Sequence, residues 1–359
     1  MIEFGEKNMN LVITGHSVRW RVYEKEKLVK HLGNFYDIPV GDIDSTKKVL
    51  EVLKGDLNYV YWRPNSDETN MSLYTRMQRQ RDLFDFTDCK HINDVRYYKN
   101  YHAKELTFNI WKDNFVNAPS FITFENLEEL RQKKNFDFPF LIRLNNCVNG
   151  KSSFLVFNEQ QLENDYKILK KHYEIGKINS NFTKMIAVEY LDASKEDKKY
   201  TCSYRIISTD KKIITGYARL CELPKGSEFN RGPNGNWSAF TGKFKPWMAE
   251  DFVKYQKRCQ QILQNKEQEI LRAINSINMS AQGIDIIEDQ QDNIYFLESQ
   301  PGFSTGYANS PKPFYNPHYP ELVKFLVNNE EYLKKEIPMY YNLWLNKENL
   351  FDNVMKSLK

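Results

Sequence analysis

Gly283-Ile-Asp-Ile-Ile-Glu-Asp-Gln-Gln-Asp-Asn-Ile-Tyr-Phe-Leu-Glu-Ser-Gln-Pro-Gly302 is the stretch on which the fold of this 359-residue chain turns. Residues 284–287 and 294–297 are β-branched and aromatic runs, and the polar segment 289–293 between them reads as the turn of an antiparallel hairpin. Side chains alternate along a strand, so Glu298 and Gln300 are expected on the face that carries Phe296. Asp285 joins them if the register sets it opposite Glu298. Carboxylates among apolar strands are costly unless a cation or hydrogen bonds offset the lost hydration. Mg²⁺ suits such a set, because it takes oxygen ligands from one or two carboxylates together with substrate phosphates. A hairpin whose acids simply face water accounts for this stretch equally well when it is taken alone. Pro301-Gly302 ends the second strand, and Phe303-Ser-Thr-Gly306 offers amides and hydroxyls to an anion.

The length predicts two or three domains. A net charge of +4, from 51 basic and 47 acidic residues, is too balanced for a nucleic-acid footprint. Cys89, Cys147, Cys202, Cys221 and Cys259 are scattered, odd in number and without a CxxC pair, which predicts reduced thiols in an intracellular protein. No opening signal peptide and no apolar run long enough to span a bilayer is visible, so the expectation is a soluble cytoplasmic protein with no membrane partner. His16, His31, His91, His102, His172 and His318 lack ligand spacing, which argues against a zinc site.

Toward the N-terminus, Asn10-Leu-Val-Ile-Thr-Gly15 reads as a buried strand and turn, and residues 24–32 as a helix. Residues 37–40 read as a strand, and 45–54 as a helix with Ser45 as its N-cap. Tyr59-Val-Tyr-Trp62 is a further strand. The β-α-β-α-β rhythm predicts a small parallel, Rossmann-like sheet. Arg63-Pro64-Asn65 follows a strand, where α/β sheets place ligand groups, so Arg63 meets an anion or serves as an ordinary structural arginine. Residues 72–86 form an amphipathic helix with Arg76, Arg79 and Arg81 expected on its wet face. A domain boundary is expected near residues 93–100.

Lys104 opens a helix over 104–115, followed by a strand at 120–123 and a helix at 126–133. Phe138-Pro-Phe-Leu-Ile-Arg-Leu144 is a strong strand signal that Arg143 interrupts, and the buried cation calls for an anionic ligand or an internal salt bridge. The polar loop 145–153 that follows, with Gly150, Lys151, Ser152 and Ser153, either lays amides over phosphates or is an ordinary turn. It lacks the GxxxxGK[ST] arrangement of a P-loop. A strand at 154–157, a helix at 160–173 and a buried strand at 185–191 come next. Residues 200–207 and 212–218 form a hairpin carrying Arg205, with Arg219 just beyond, and two such arginines reach one anion or one carboxylate.

In this order the pieces resemble the ATP-grasp superfamily: Lys104 and Pro119, Phe140-Leu-Ile-Arg143, the loop 148–153, Val188-Glu-Tyr-Leu191, Tyr204-Arg205, Arg219, Gly283-Ile-Asp285 and Leu297-Glu-Ser-Gln-Pro-Gly302. The resemblance covers roughly residues 95–327 and implies an α/β (α+β) chain whose two α+β lobes form the ATP-grasp fold. The domains it implies are 1–95 as a small Rossmann-like unit, 96–191 as the small lobe, 192–330 as the large lobe and 331–359 as a C-terminal helical segment. It implies that Lys104 and Arg143 contact ATP phosphates and that the loop, with Gly150, Lys151, Ser152 and Ser153, closes over them. Glu189, Tyr190 and Leu191 would form the hinge that reads adenine. Asp285, Glu298 and Gln300 would hold two Mg²⁺ ions bridging the phosphates, with Mn²⁺ as an alternative. Three departures stand out: Arg143 replaces the usual lysine, Gln300 replaces the usual asparagine, and the loop has few glycines.

What the resemblance implies for activity is an ATP-dependent carboxylate–amine ligase that passes the γ-phosphate to a carboxylate and releases ADP and phosphate. Arg219 and Arg205 would stabilise the transferring phosphoryl group or the oxyanion. Partners are then small-molecule carboxylates and amines, amino acids or peptides among them, with no nucleic acid; a homodimer is compatible with this. A kinase of the same fold and a non-catalytic nucleotide binder are the alternatives. Residues 221–247, with Arg231 and Lys243, read as a lid or substrate-selecting arm, and residues 307–319 as a second loop over the cleft. Residues 321–327 and 330–356 end the chain as helices.

Overall fold

The computed structural model describes residues 9–15, 33–64, 71–146, 152–179, 182–193, 200–222, 249–301, 320–344 and 357–358. The expected helix at 24–32, residue Asn65, the loop residues 147–151 with Gly150 and Lys151, the arm at 223–248 with Arg231 and Lys243, and residues 302–319 lie outside them.

Alternating burial in the sequence resolves into three four-stranded sheets. The first contains β1 (Met9–Gly15), β2 (Gly33–Ile38), β3 (Tyr59–Arg63) and β4 (Lys90–Ile92), in the order β2-β1-β3-β4. Its pairings are all parallel, as the β-α-β rhythm predicts. Parallel strands are covered on both faces, and Val60, Tyr61 and Trp62 are accordingly all buried. Helix α1 (Ile43–Leu53) is capped by Asp42, whose carboxylate accepts from the Ser45 amide at 3.0 Å; Ser45 is therefore not the cap but sits inside the first turn.

Helix α2 (Met71–Phe84) overturns one expectation. Arg76 and Arg79 are exposed, but Arg81 is buried and donates to Asp94 at 2.8 Å. Burial works against the charged Asp94 carboxylate, and hydrogen bonds from Arg81 and Arg96 outweigh it, so its pKa lies below the ordinary value. A carboxyl depressed on folding stabilises the native state above its unfolded pKa of about 3.9, and that contribution is lost as pH falls through the lower folded value. Asp94→Asn is expected to remove this acid limb from a denaturation series taken at decreasing pH. An unchanged acid limb would show that the pair does not set it.

The second sheet contains β5 (Phe121–Phe124), β6 (Phe140–Leu144), β7 (Ser153–Val156) and β8 (Met185–Glu189), antiparallel in the order β5-β8-β6-β7. Phe140, Ile142, Val156, Met185 and Ala187 build its core with Leu130, Leu162 and Leu169 of α5 (Leu127–Lys133) and α6 (Glu159–Asn179). By alternation, Leu141, Arg143, Ile186 and Val188 occupy the opposite face. Before this sheet come α3 (Tyr98–His102) and α4 (Lys104–Asp113).

The third sheet contains β9 (Tyr200–Thr209), β10 (Ile213–Glu222), β11 (Ala281–Glu288) and β12 (Ile294–Gln300), antiparallel in the order β10-β9-β11-β12. Two helices that the sequence reading leaves unassigned cover it, α7 (Ala249–Asn265) and α8 (Glu267–Ser276). Their apolar stripe, with Phe252, Cys259, Ile262, Ile270 and Ile274, packs with Tyr204, Ile206, Ile284 and Ile286. On this face the fully buried Glu288 accepts from Arg258 at 2.9 Å. Removing the cation takes the Arg258 guanidinium away from a buried carboxylate, so Arg258→Met is expected to destabilise the fold by about 3 kcal/mol. Equilibrium urea unfolding reads this directly, and an unaltered midpoint would refute it.

Beyond the third sheet the chain runs through α9 (Pro320–Asn328), α10 (Glu330–Glu336) and α11 (Pro338–Trp344). The helix expected from 330 onward is broken at Ile337-Pro338, because proline lacks the amide and disfavours helical geometry in the residue before it.

Candidate active site

The hairpin that opens the sequence reading forms with Asp285 directly opposite Glu298 and Gly283 opposite Gln300. Opposed residues share a face, so the three oxygen donors lie together. Phe296 does not join them. The register slips between Asp285 and Ile286, which pairs Ile286 with Phe296 and makes Leu297 the extra residue. The bulge thereby turns Phe296 into the core against Trp111, while Glu298 stays on the cleft side with 23% of its side chain exposed.

Cations meet these carboxylates from both lobes. Asp285 pairs across the sheet with Arg205, which contacts it through Nε and through Nη2 at 2.8 Å. Arg219 Nη2 lies 2.8 Å from the same carboxylate, and its Nε donates to Ser203 at 3.2 Å. From the other side Lys104 Nζ donates to Glu298 at 3.2 Å. Lys104 is aimed by its position at the start of α4, where its amide donates to the Asn145 carbonyl just past β6. Burial opposes ionisation at both acids. At Asp285 the charges of Arg205 and Arg219 overcome it and hold the carboxyl below the usual range. At Glu298 the charge of Lys104, with those of Arg143 and Arg205, outweighs both burial and repulsion from Asp285.

Both groups are thus anions, and they repel one another across the strand pair. Burial, with Lys104 beside it, pushes His102 down to about 3, so this imidazole is neutral and adds nothing to the positive charge. Counting Lys104, Arg143, Arg205 and Arg219 against Asp285 and Glu298, the cluster carries a net +2. Such a site attracts a polyanion. Among the described residues no three His, Cys, Asp or Glu side chains gather, so the hairpin's donor set is two carboxylates and an amide. Two adjacent, ionised and mutually repelling carboxylates fit a divalent cation that a phosphate-bearing ligand brings with it.

The remaining candidates are placed as follows. Ser153 begins β7 opposite Arg143, and Ser152 stands at φ 55° with its hydroxyl 2.8 Å from His172 Nδ1. The Glu189 carboxylate accepts from the Ser120 amide at 3.1 Å, and Tyr190 and Leu191 follow it half-buried. Gln290 at the hairpin tip donates to Asp192 at 3.1 Å, so the segment after β8 lies against the hairpin. Ser203 and Tyr217 were not singled out in the sequence. Once β9 and β10 are paired, the i, i+2 spacing of Ser203 to Arg205 and of Tyr217 to Arg219 puts all four on the cleft face.

Two antiparallel sheets with their helices, linked through Lys104 and Glu298 and set beside a parallel sheet, have the fold of ATP-grasp proteins. Solved structures similar to this chain include L-amino acid ligase from Bacillus licheniformis, with a TM-score of 0.53 and 12% identity over 89% of this chain and 75% of that one. N5-carboxyaminoimidazole synthetase from Staphylococcus aureus, complexed with ADP, gives 0.52 and 12% over 85% and 74%. Biotin carboxylase from Campylobacter jejuni, as a β,γ-ATP complex, gives 0.52 and 11% over 89% and 71%. At these identities the likeness is one of fold. No protein-family model and no curated protein matches the sequence. Among the described residues no helix is long and apolar enough to cross a membrane.

Proposed function

We propose that this chain is an ATP-dependent carboxylate–amine ligase that works through an acyl phosphate. The observation that carries the reading is the meeting, in one cleft of this fold, of four cations with two ionised carboxylates on opposed strands. Lys104 and Arg143 bind the triphosphate, the loop with Gly150, Lys151, Ser152 and Ser153 covers it, and the backbone of Glu189, Tyr190 and Leu191 receives the adenine. Asp285, Glu298 and Gln300 would hold Mg²⁺, or Mn²⁺ in its place. The metal, when bound, neutralises charge between the phosphates and the approaching carboxylate.

A substrate carboxylate oxygen bonds to the γ-phosphorus as the bond to the ADP oxygen breaks. The amine nitrogen then bonds to the acyl carbon, the C–O bond to phosphate breaks, and the proton lost from nitrogen leaves with the released phosphate. Arg219 and Arg205 stabilise the charge that develops on the phosphoryl group and on the tetrahedral oxygen. As nucleotide enters, these arginines and Lys104 exchange their carboxylate partners for phosphate. No side-chain nucleophile takes part. Amino acids or peptides are the substrate class of this reading, and the cytoplasm its place.

Purified protein given ATP, Mg²⁺ and pooled amino acids and organic acids is expected to release ADP and free phosphate in equal amounts, with a C–N-linked product. Phosphate retained on an acceptor hydroxyl would identify a kinase instead. Tight ATP binding with no acceptor-dependent ADP release would identify a non-catalytic binder. Lys104→Ala is expected to raise the KM for ATP by about 10- to 100-fold, the equivalent of one charge-assisted hydrogen bond. An unchanged KM would remove Lys104 from the nucleotide site.

A further inference from the structure

Two buried side chains of the first sheet region grip the open end of the β11–β12 hairpin, and the reaction described above uses neither. Tyr61 on β3 is 1% exposed, and its hydroxyl donates to the Pro301 carbonyl at 2.8 Å. Asn93, just past β4, is fully buried. Its Nδ2 donates to the Ala281 carbonyl at 2.5 Å while its Oδ1 accepts from the Ala281 amide at 2.8 Å. The same Nδ2 lies 3.5 Å from the Pro301 carbonyl.

These contacts fall at the two ends of the donor segments. Ala281 opens β11 shortly before Asp285, and Pro301 directly follows Gln300. Proline cannot donate to a strand ladder, so the carbonyl is the one main-chain group through which Pro301 can be hydrogen-bonded. Asn93 itself stands at φ 54°, a left-handed conformation that asparagine tolerates better than most residues. Its exchange of both bonds with a single residue fixes which way its amide lies. Apolar packing would be enough to join two units; directional bonds to the backbone at both open ends also fix the height and rotation of the strands.

The geometry points to Tyr61 and Asn93 as positioning residues for the hairpin's oxygen donors. They hold Ala281 and Pro301, and with them the strand segments from which Asp285, Glu298 and Gln300 would receive divalent metal. This rests on the proposed metal site and adds that the first sheet helps to set its geometry.

The test is Mn²⁺ binding, followed by electron paramagnetic resonance in the presence of a non-hydrolysable ATP analogue. Tyr61→Phe removes one oxygen, and Asn93→Gly removes the clip while keeping the left-handed backbone accessible. Leu73→Ala, a core truncation on α2, serves as the control for general loosening. Loss of a direct partner of a ligand costs about 10- to 100-fold in metal affinity, so these indirect changes are expected to cost roughly 3- to 10-fold. Nucleotide affinity in chelator should stay at the wild-type value, and Leu73→Ala should bind Mn²⁺ normally. Wild-type Mn²⁺ affinity in both variants, or an equal loss in Leu73→Ala, overturns the proposal. If Asn93→Gly fails to fold, Tyr61→Phe decides alone. A wild-type protein that takes up no Mn²⁺ with nucleotide is a different result, because it removes the metal site on which the proposal rests.

Discussion

Glu298→Ala is expected to reduce metal-dependent ATP turnover by about 100- to 1,000-fold, the usual loss when one preorganised electrostatic group is deleted from an active site. The carboxylate stands opposite Asp285, pairs with Lys104 and keeps 23% of its side chain exposed. Its removal deletes one of two anionic donors and raises the net charge of the cluster by one. What remains still attracts triphosphate but cannot hold the divalent cation against it. Glu298→Gln keeps the volume and loses only the charge, so it separates the two effects. ADP release measured across a Mg²⁺ titration, beside a thermal melt that shows each variant folded at the assay temperature, is the check. Wild-type turnover in either variant would take the metal assignment away from this hairpin.

Trp111→Ala carries the largest expected loss of stability, about 3 to 5 kcal/mol. The indole is fully buried on α4 between Phe108 and Phe296, and its Nε1 donates to the Ala273 carbonyl at 3.0 Å. Truncation leaves a cavity and removes one of two hydrogen bonds to the Ala273 carbonyl, which keeps the one from Ser276 Oγ at 3.0 Å. The effect reaches the site because the same helix begins with Lys104, and Phe296 lies two residues from Glu298. Urea unfolding should show the loss, and nucleotide affinity should fall with it. A stable variant with weakened nucleotide binding would mean that Trp111 orients α4 without carrying its stability.

Much of this arrangement could be read in the chain because strand periodicity and turn chemistry are local. The hairpin pairing that joins Asp285 to Glu298 follows from two apolar runs and one polar turn. The bulge at Leu297 does not, since a one-residue slip leaves no mark in composition, and Phe296 was accordingly expected on the wrong face. Arg81 read as solvated because its partner, Asp94, arrives from another element. Helices α7 and α8, unassigned from the sequence, have regular apolar spacing and follow the long loop-like segment 221–247. The pairing of Arg205 and Arg219 with Asp285 was open in the sequence, which allowed an anion or a carboxylate, and only the third sheet's register selects the carboxylate. Tyr61 and Asn93 gave no signal at all, because each acts on a backbone group some two hundred residues away.

The most direct test is a crystal grown with an ATP analogue and Mn²⁺, with the metal located by its anomalous signal. The account predicts metal about 2.1 Å from carboxylate oxygens of Asp285 and Glu298, with Lys104 and Arg143 on the phosphates. A triphosphate bound elsewhere, with Asp285 still held by its two arginines and Glu298 by Lys104, would contradict it.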